Sequence, residues 1–190
     1  MKKLFILITL MFSSQLLLAQ HRSTPSPSIL FSAGYAYSNM ANGGGGLQLG
    51  VGTQLSISNR LRFEPEITVG MYSNWAEDVP KAHYNITSVN LNLHGDVVDI
   101  TPNFSFFMGT GLQGNYFSGL RSGWLPRDEF VSEFFYGTAV AVNGFLGFRA
   151  YNPSRKTNFE LKLFNFSLDP FAPNDYFVFS PAQLRILVRI

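Results

Sequence analysis

The chain has no cysteine among its 190 residues. That excludes disulfides, thiolate metal sites and thiol catalysis, and also a lipoprotein, whose mature chain begins at an acylated cysteine. Charge is scarce too. Asp, Glu, Lys and Arg make up 14% of the chain, against about 25% in ordinary soluble domains. The formal charge of +2 comes from Lys2 and Lys3; without them, 12 basic residues balance 12 acidic ones. No basic face is left to attract nucleic acid. Histidines number three and have no ligand spacing, so no metal or other cofactor is expected. Sustained helical periodicity is also missing, because glycine, β-branched and aromatic residues stand where helix formers would be needed.

What is present is apolar and aromatic. Hydrophobic residues reach 46% and aromatics 15%, with 17 glycines and ten prolines. This profile is opposite to that of a disordered chain. The glycines and prolines imply many turns between short elements, and the length suits one domain.

The first twenty residues, MKKLFILITLMFSSQLLLAQ, read as an export signal. Lys2 and Lys3 supply the charged start, Leu4 to Phe12 the apolar stretch, and Ala19 the candidate cleavage residue. Ser13, Ser14 and Gln15 interrupt a segment already shorter than the ~20 residues a helical span requires. The expected organisation is a signal peptide over 1–19, a short linker over 20–27 and a barrel over 28–190.

Beyond the signal, period two recurs, the mark of strands with one apolar face. Leu47, Leu49, Val51, Leu55 and Ile57 oppose Gln48, Gly50, Gly52, Gln54 and Ser56. Similar alternation covers residues 29–38, 61–72, 88–94, 104–113, 139–149, 158–163 and 184–190, making eight strands. Short links fall near Ser58-Asn59, Asp99 to Pro102 and Asn152 to Lys156. Longer ones fall at Asn39 to Gly46, Asn74 to His83, Ser118 to Ser132 and Asp169 to Asp175. Transmembrane barrels alternate in this way between short periplasmic turns and longer outer loops. Aromatics cluster accordingly. Tyr35, Tyr37, Tyr72, Tyr84, Tyr116, Phe134, Tyr136 and Tyr176 lie near the long links, while Phe63, Phe104, Phe106, Phe148 and Phe159 lie near the short turns. Two interfacial girdles are the expected reading. Pro65 and Ser180-Pro181 break the pattern, and each predicts a bulge.

The fold expected is therefore all-β: an eight-stranded antiparallel up-and-down transmembrane β-barrel behind a cleaved signal peptide. The stretches GLQLGVGTQLSISNRLRFEPEITVG and NFSFFMGTGLQGNY, with the alternating C-terminal strand, resemble small outer-membrane barrel families. The resemblance is OmpX-like in size and PorT-like in sequence flavour, over roughly residues 27–190. It implies a shared barrel and export route, and no catalytic residues. The chain ends in Ile190, where many such proteins end in an aromatic residue.

Several motifs look like chemistry. Gly109-Thr110-Gly111-Leu112-Gln113-Gly114 matches G-x-G-x-x-G, but no helix follows to carry a pyrophosphate. The run Gly43 to Gly46 lacks the lysine of a phosphate loop. Glu64 and Glu66 share a face, which suits an acid–base pair. The same inward parity also holds Arg62, His94, Asp96, Arg149, Glu160, Lys162, Arg185 and Arg189. Charges inside a narrow barrel must pair, so a salt-bridged plug is the stronger expectation, with Glu160 set against Arg185. The inward residues of the other half are small (Gly34, Gly50, Gly52, Gly70, Gly137, Ala139, Ala141), which suggests a cup open to the exterior. His94 points inward, and His83 falls in a loop without a serine partner, which argues against lipid-modifying chemistry.

The sequence thus supports an integral protein of the bacterial outer membrane without catalytic activity. The expected role is structural or surface-interacting through the outer loops; a lipid-modifying barrel enzyme or a small pore is the alternative. The partners expected are the lipid bilayer and the barrel-insertion machinery, with the barrel a monomer. No catalytic, cofactor or metal residues are assigned.

Overall fold

A computed structural model of the chain describes residues 27–40, 43–74, 80–124, 130–152, 154–171 and 176–190. The expected signal peptide, and all of the linker but Pro27, lie outside these residues. Eight strands follow one another: β1 Ser28–Ser38, β2 Gly44–Ser56, β3 Leu61–Asn74, β4 Lys81–Thr101, β5 Phe104–Trp124, β6 Phe130–Ala150, β7 Thr157–Leu168 and β8 Phe177–Arg189. Each pairs antiparallel with its sequence neighbours, and β8 returns to β1 to close the barrel.

The alternation in sequence becomes an inverted burial pattern. Leu47, Leu49, Val69, Met71, Leu91, Leu112 and Val140 point outward and are exposed, while Arg62, Glu64, Asn92, His94, Glu160, Lys162 and Arg185 are buried. A soluble protein does the reverse. An apolar outside with a polar inside is the solution for a sheet immersed in lipid, where closure satisfies every backbone donor within the ladder. The ladder gives a direct test. The refolded protein should resist SDS unless heated and migrate differently once boiled; identical migration before and after boiling would count against a closed barrel.

The strands are longer than their sequence signals, and unequally so. β4, β5 and β6 each span 21 residues, whereas the others span 11 to 14. The strands therefore reach into two of the expected long links: Lys81–His83 of the link over 74–83 belong to β4, and 118–124 and 130–132 of the link over 118–132 belong to β5 and β6. The asymmetry between the two ends lies in wall height more than in loop length. β7 ends at Leu168 opposite Val142, while β5 and β6 remain paired up to Trp124 and Phe130.

The irregularities divide. At Ser180-Pro181 the register against β1 shifts between Tyr35 and Tyr37, which is the expected bulge. At Pro65 no bulge forms. Pairing with β4 runs unbroken through Pro65 and Leu91, and the β2 ladder resumes in the same register beyond two unpaired positions. The missing N–H therefore leaves two residue pairs, Thr53/Pro65 and Gln54/Glu64, out of the ladder on the β2 side and the register unchanged. An unforeseen bulge lies in β7, where the register shifts opposite Gly144 and Leu146. Phe164 there has φ 48°, a left-handed conformation unusual for a bulky residue.

Candidate functional site

The barrel interior is the only place where the fold gathers chemically active side chains in number among the described residues. It has three layers.

The layer next to the short turns is an alternating chain of charges. Arg62 Nη1 donates to Asp96 at 2.8 Å, and Asp96 also accepts Arg149 Nη1 at 2.5 Å. Arg149 Nε donates to Glu160 at 2.5 Å, and Glu160 accepts Arg185 Nη1 at 2.6 Å. Arg185 pairs through Nη2 with Glu64. Lys162 Nζ lies 3.8 Å from Glu64 and 4.0 Å from Glu66. The series Arg62, Asp96, Arg149, Glu160, Arg185, Glu64, Lys162, Glu66 alternates in sign throughout, with four cations and four anions. The links from Arg149 to Asp96, Arg185 to Glu64 and Lys162 to Glu64 cross between non-adjacent strands. Only long side chains can do this, which is why arginine, lysine and glutamate fill this layer. An unpaired charge here would carry a penalty of several kcal/mol.

Two of these residues, with His94, also resemble a metal site, because Glu64, His94 and Glu160 offer ligand atoms within 4.8 Å of one another. The charge balance argues otherwise. Both carboxylates are already neutralised by guanidinium groups, so a dication would leave uncompensated charge in a dry site. His94 is fully buried, wedged edge-on against Phe107 and Phe145 with ring centroids 5.2 and 6.0 Å away.

The middle layer is made of amides. Their orientation follows from the carboxylates below. Glu64 can only accept, so Asn92 turns its nitrogen to it at 3.3 Å and receives Asn143 Nδ2 on its oxygen at 2.7 Å. Ser32 gives its proton to Glu66 at 2.5 Å and accepts Gln183 Nε2 at 3.0 Å. The side-chain oxygens of Gln48, Gln113, Asn143 and Gln183 are left without protein donors. They belong to residues lining one cavity of about 10 Å³, room for a single water. The G-x-G-x-x-G match falls in β5 beside this layer. A side chain at Gly109 would strike Phe145 and His94, and one at Gly111 would meet the amides of Asn92 and Asn143. The glycines make room for lumen side chains rather than for a nucleotide.

The third layer corrects the expected open cup. Tyr72, Tyr84 and Tyr176 are buried in the lumen with Met40, Ile86 and Val178, so these tyrosines belong to the interior and not to a girdle. Tyr72 and Tyr84 stack at 5.4 Å, and Tyr84 donates to the Met40 carbonyl at 3.2 Å, tying the β1–β2 link into the mouth. The small inward residues are what admits the rings. A Cβ at Gly70 would collide with the Tyr72 ring and one at Gly137 with Phe117. Small residues signalled space, and large neighbours occupy it.

Seals at both levels predict a barrel that does not conduct. Planar-bilayer recordings of the refolded protein should show no steady unitary currents. Arg149→Ala should remain silent as well, because the tyrosine layer survives it. Stable currents from the unaltered protein would reject the sealed lumen.

On the outer surface, His83 does have a serine partner. Ser73 Oγ and His83 Nδ1 lie 2.7 Å apart, on facing positions of β3 and β4. The sequence does not reveal the pair, because residues 74–83 carry the local signals of a loop. Among the described residues no carboxylate bonds the ring. Both residues also sit within the β3–β4 ladder, where backbone N–H groups are committed to neighbours.

No family model matches the sequence, and no curated protein is similar to it in sequence. Solved structures do share the fold. Neisserial surface protein A superposes with a TM-score of 0.65 at 15% identity, covering 89% of this chain and all of that one. Ail, the attachment invasion locus protein of Yersinia pestis, gives 0.55 at 14% identity, covering 88% and 100%. The outer membrane protein OprG of Pseudomonas aeruginosa gives 0.51 at 13% identity, covering 86% and 96%. The architecture is that of the small eight-stranded outer-membrane barrels, as the sequence pattern implied.

Proposed function

We propose that this protein is a non-catalytic barrel of the bacterial outer membrane that works by surface contact, through the tall wall raised by β4, β5 and β6. The observation that carries this reading is the edge of β6. From Ser132 to Ala141 no described strand pairs with it on the β7 side, although β5 covers the other side throughout. Ten residues make roughly 34 Å of strand. The edge has a single charge, Glu133, and no proline or lysine. Natural edges are normally blunted by such residues; an edge left open is a template for an added strand. Its outward face carries Phe134 at 64% exposure and Tyr136 at 71%, 6.2 Å apart. Exposed aromatics flanking a free edge suit an extended peptide with apolar residues at alternate positions. Among the barrels that share this fold, Ail is an attachment protein by name, which agrees with the reading.

The test places the wall and then its use. A cysteine at Tyr136 should react with an impermeant maleimide on intact cells, while one at Ser154 should not. The reconstituted barrel should retain apolar-alternating peptides from an extended-peptide array and lose them with Phe134→Lys/Tyr136→Lys. Failure to retain any peptide, with Tyr136 accessible, would reject contact through this edge.

The Ser73–His83 pair favours a second reading, an outer-leaflet esterase. It lacks a carboxylate behind the histidine and free amides to hold an oxyanion, so it is the weaker of the two. Serine-directed fluorophosphonate labelling that disappears in Ser73→Ala would reverse that order.

A further inference from the structure

The alternating chain of charges ends asymmetrically. At mid-lumen its last member is Glu66, which is satisfied by Ser32 at 2.5 Å. At the short-turn end its last member is a cation, Arg62, sharing one carboxylate, Asp96, with Arg149. Beyond that point the mouth holds a cavity of about 20 Å³ whose walls include three arginines, Arg62, Arg149 and Arg189. Ser56, Asn158 and Tyr151 add neutral hydrogen-bonding groups, and no lining residue is Asp or Glu. Arg149 is 3% exposed, and its Nη2 has no acceptor in the protein. The guanidinium of Arg189 lies 5.4 Å over the Tyr151 ring and donates to its hydroxyl at 3.1 Å. That fixes the side chain at the rim.

The surroundings reinforce the sign. Arg60 is matched by Asp99 at 3.0 Å at the same end, outside the residues that line the cavity. Arg155 and Lys156, in the β6–β7 turn, are exposed at the same end. Lys156 is tied to the end of β8 by a backbone bond from Arg189 N to its carbonyl at 2.8 Å. Three guanidinium groups converging on a small cavity without a carboxylate form a donor set for a tetrahedral oxyanion. Planar guanidinium groups grip the oxygens of phosphate in pairs, and a partly enclosed site weakens the competition from water.

We propose that the periplasmic mouth of the barrel is a binding site for one phosphate group, held by Arg62, Arg149 and Arg189. The phosphate completes the alternation, standing as the anion after Arg62. It seats at the rim where Arg189 closes over it. The chemistry is common to the headgroup of an inner-leaflet phospholipid and to a soluble phosphate monoester.

The experiment uses the full mature barrel, refolded in neutral detergent and in nanodiscs. Binding of inorganic phosphate and of glycerol phosphate is followed by 31P NMR line broadening at fixed ionic strength. Saturable broadening is expected in detergent. Arg189→Gln should weaken it at least about tenfold, the scale of one lost charge-assisted hydrogen bond. Arg155→Gln, on the rim but outside the cavity, should change it less than about twofold, as an exposed charge does. Arg189 is peripheral to the buried chain, and unchanged heat-modifiable migration confirms that its variant folds. Nanodiscs separate the sources. If phosphatidylglycerol discs abolish binding of free phosphate and phosphatidylcholine discs do not, an anionic lipid headgroup occupies the site. If binding persists in both, the ligand is soluble. Absence of saturable binding in detergent, or equal losses from Arg155→Gln and Arg189→Gln, would overturn the proposal.

Discussion

Replacing Arg185 with methionine should destabilise the folded barrel by about 3–5 kcal/mol, the range for breaking a buried ion pair by removing one partner. Arg185 is fully buried and contacts two carboxylates at once, Glu64 and Glu160. Glu160 retains Arg149 after the change. Among basic groups Glu64 retains only Lys162 at 3.8 Å and His94 at 3.7 Å, so it bears most of the loss. The double variant Arg185→Met/Glu64→Gln should therefore recover part of the stability, since the stranded charge goes with its partner. Urea unfolding from lipid vesicles measures both. A loss below about 1 kcal/mol for the single change, or no recovery in the double, would mean that the charges are solvated independently. The chain would then not be a connected plug.

Much of this arrangement can be read in the sequence, and the reason is geometric. Strand parity in a closed barrel has one meaning, in or out, so Arg62, Glu64, Arg149, Glu160 and Arg185 are assigned to the lumen by counting alone. The Glu160–Arg185 pair follows because adjacent strands bring them opposite each other. Links that cross the barrel, such as Arg185 to Glu64, depend on closure and shear, which no local pattern encodes. Strand length fails for a related reason. Residues 118–132 mix glycine, serine and charge, and residues 74–83 combine charge with Pro80; both locally signal loops. The paired neighbour extends Lys81–His83 and 118–124 as strand once the hairpin is anchored below. Tyr72 and Tyr84 were misplaced because aromatic content near long links serves a girdle and a plug equally well. Parity alone separates the two, and it points both rings inward. Phe107 and Phe145 have inward parity too. An apolar ring in a polar lumen looks anomalous in the sequence, yet these two pack against His94 and lie under the cationic groups of Arg149 and Lys162.

The same geometry decides how Leu91 and its neighbour respond to charge. Leu91 faces outward at 47% exposure in the middle of β4, between Pro65 and Leu112 on the adjacent strands. Leu91→Arg should cost about 2–4 kcal/mol in a bilayer, the penalty for arginine near the midplane of a barrel's lipid face. From alternation alone, Asn92→Arg would be milder, because it enters a polar interior. The filled lumen overturns that expectation. Asn92 is 1% exposed, donates to Glu64 and accepts from Asn143. A longer cation there must displace packed side chains, at about 1–3 kcal/mol for overpacking alone. It also cuts an amide relay beside a layer that already holds Lys162 and Arg185. Both variants should therefore be costly, and solvent separates the causes. In short-chain detergent micelles the Leu91→Arg penalty should shrink, because the guanidinium reaches the headgroups. The Asn92→Arg penalty should persist unchanged, because the lumen does not sense the lipid. If both penalties fell together on moving from vesicles to micelles, residue 92 would be in contact with lipid. The alternation that places the whole charge chain inside the barrel would then be out of register.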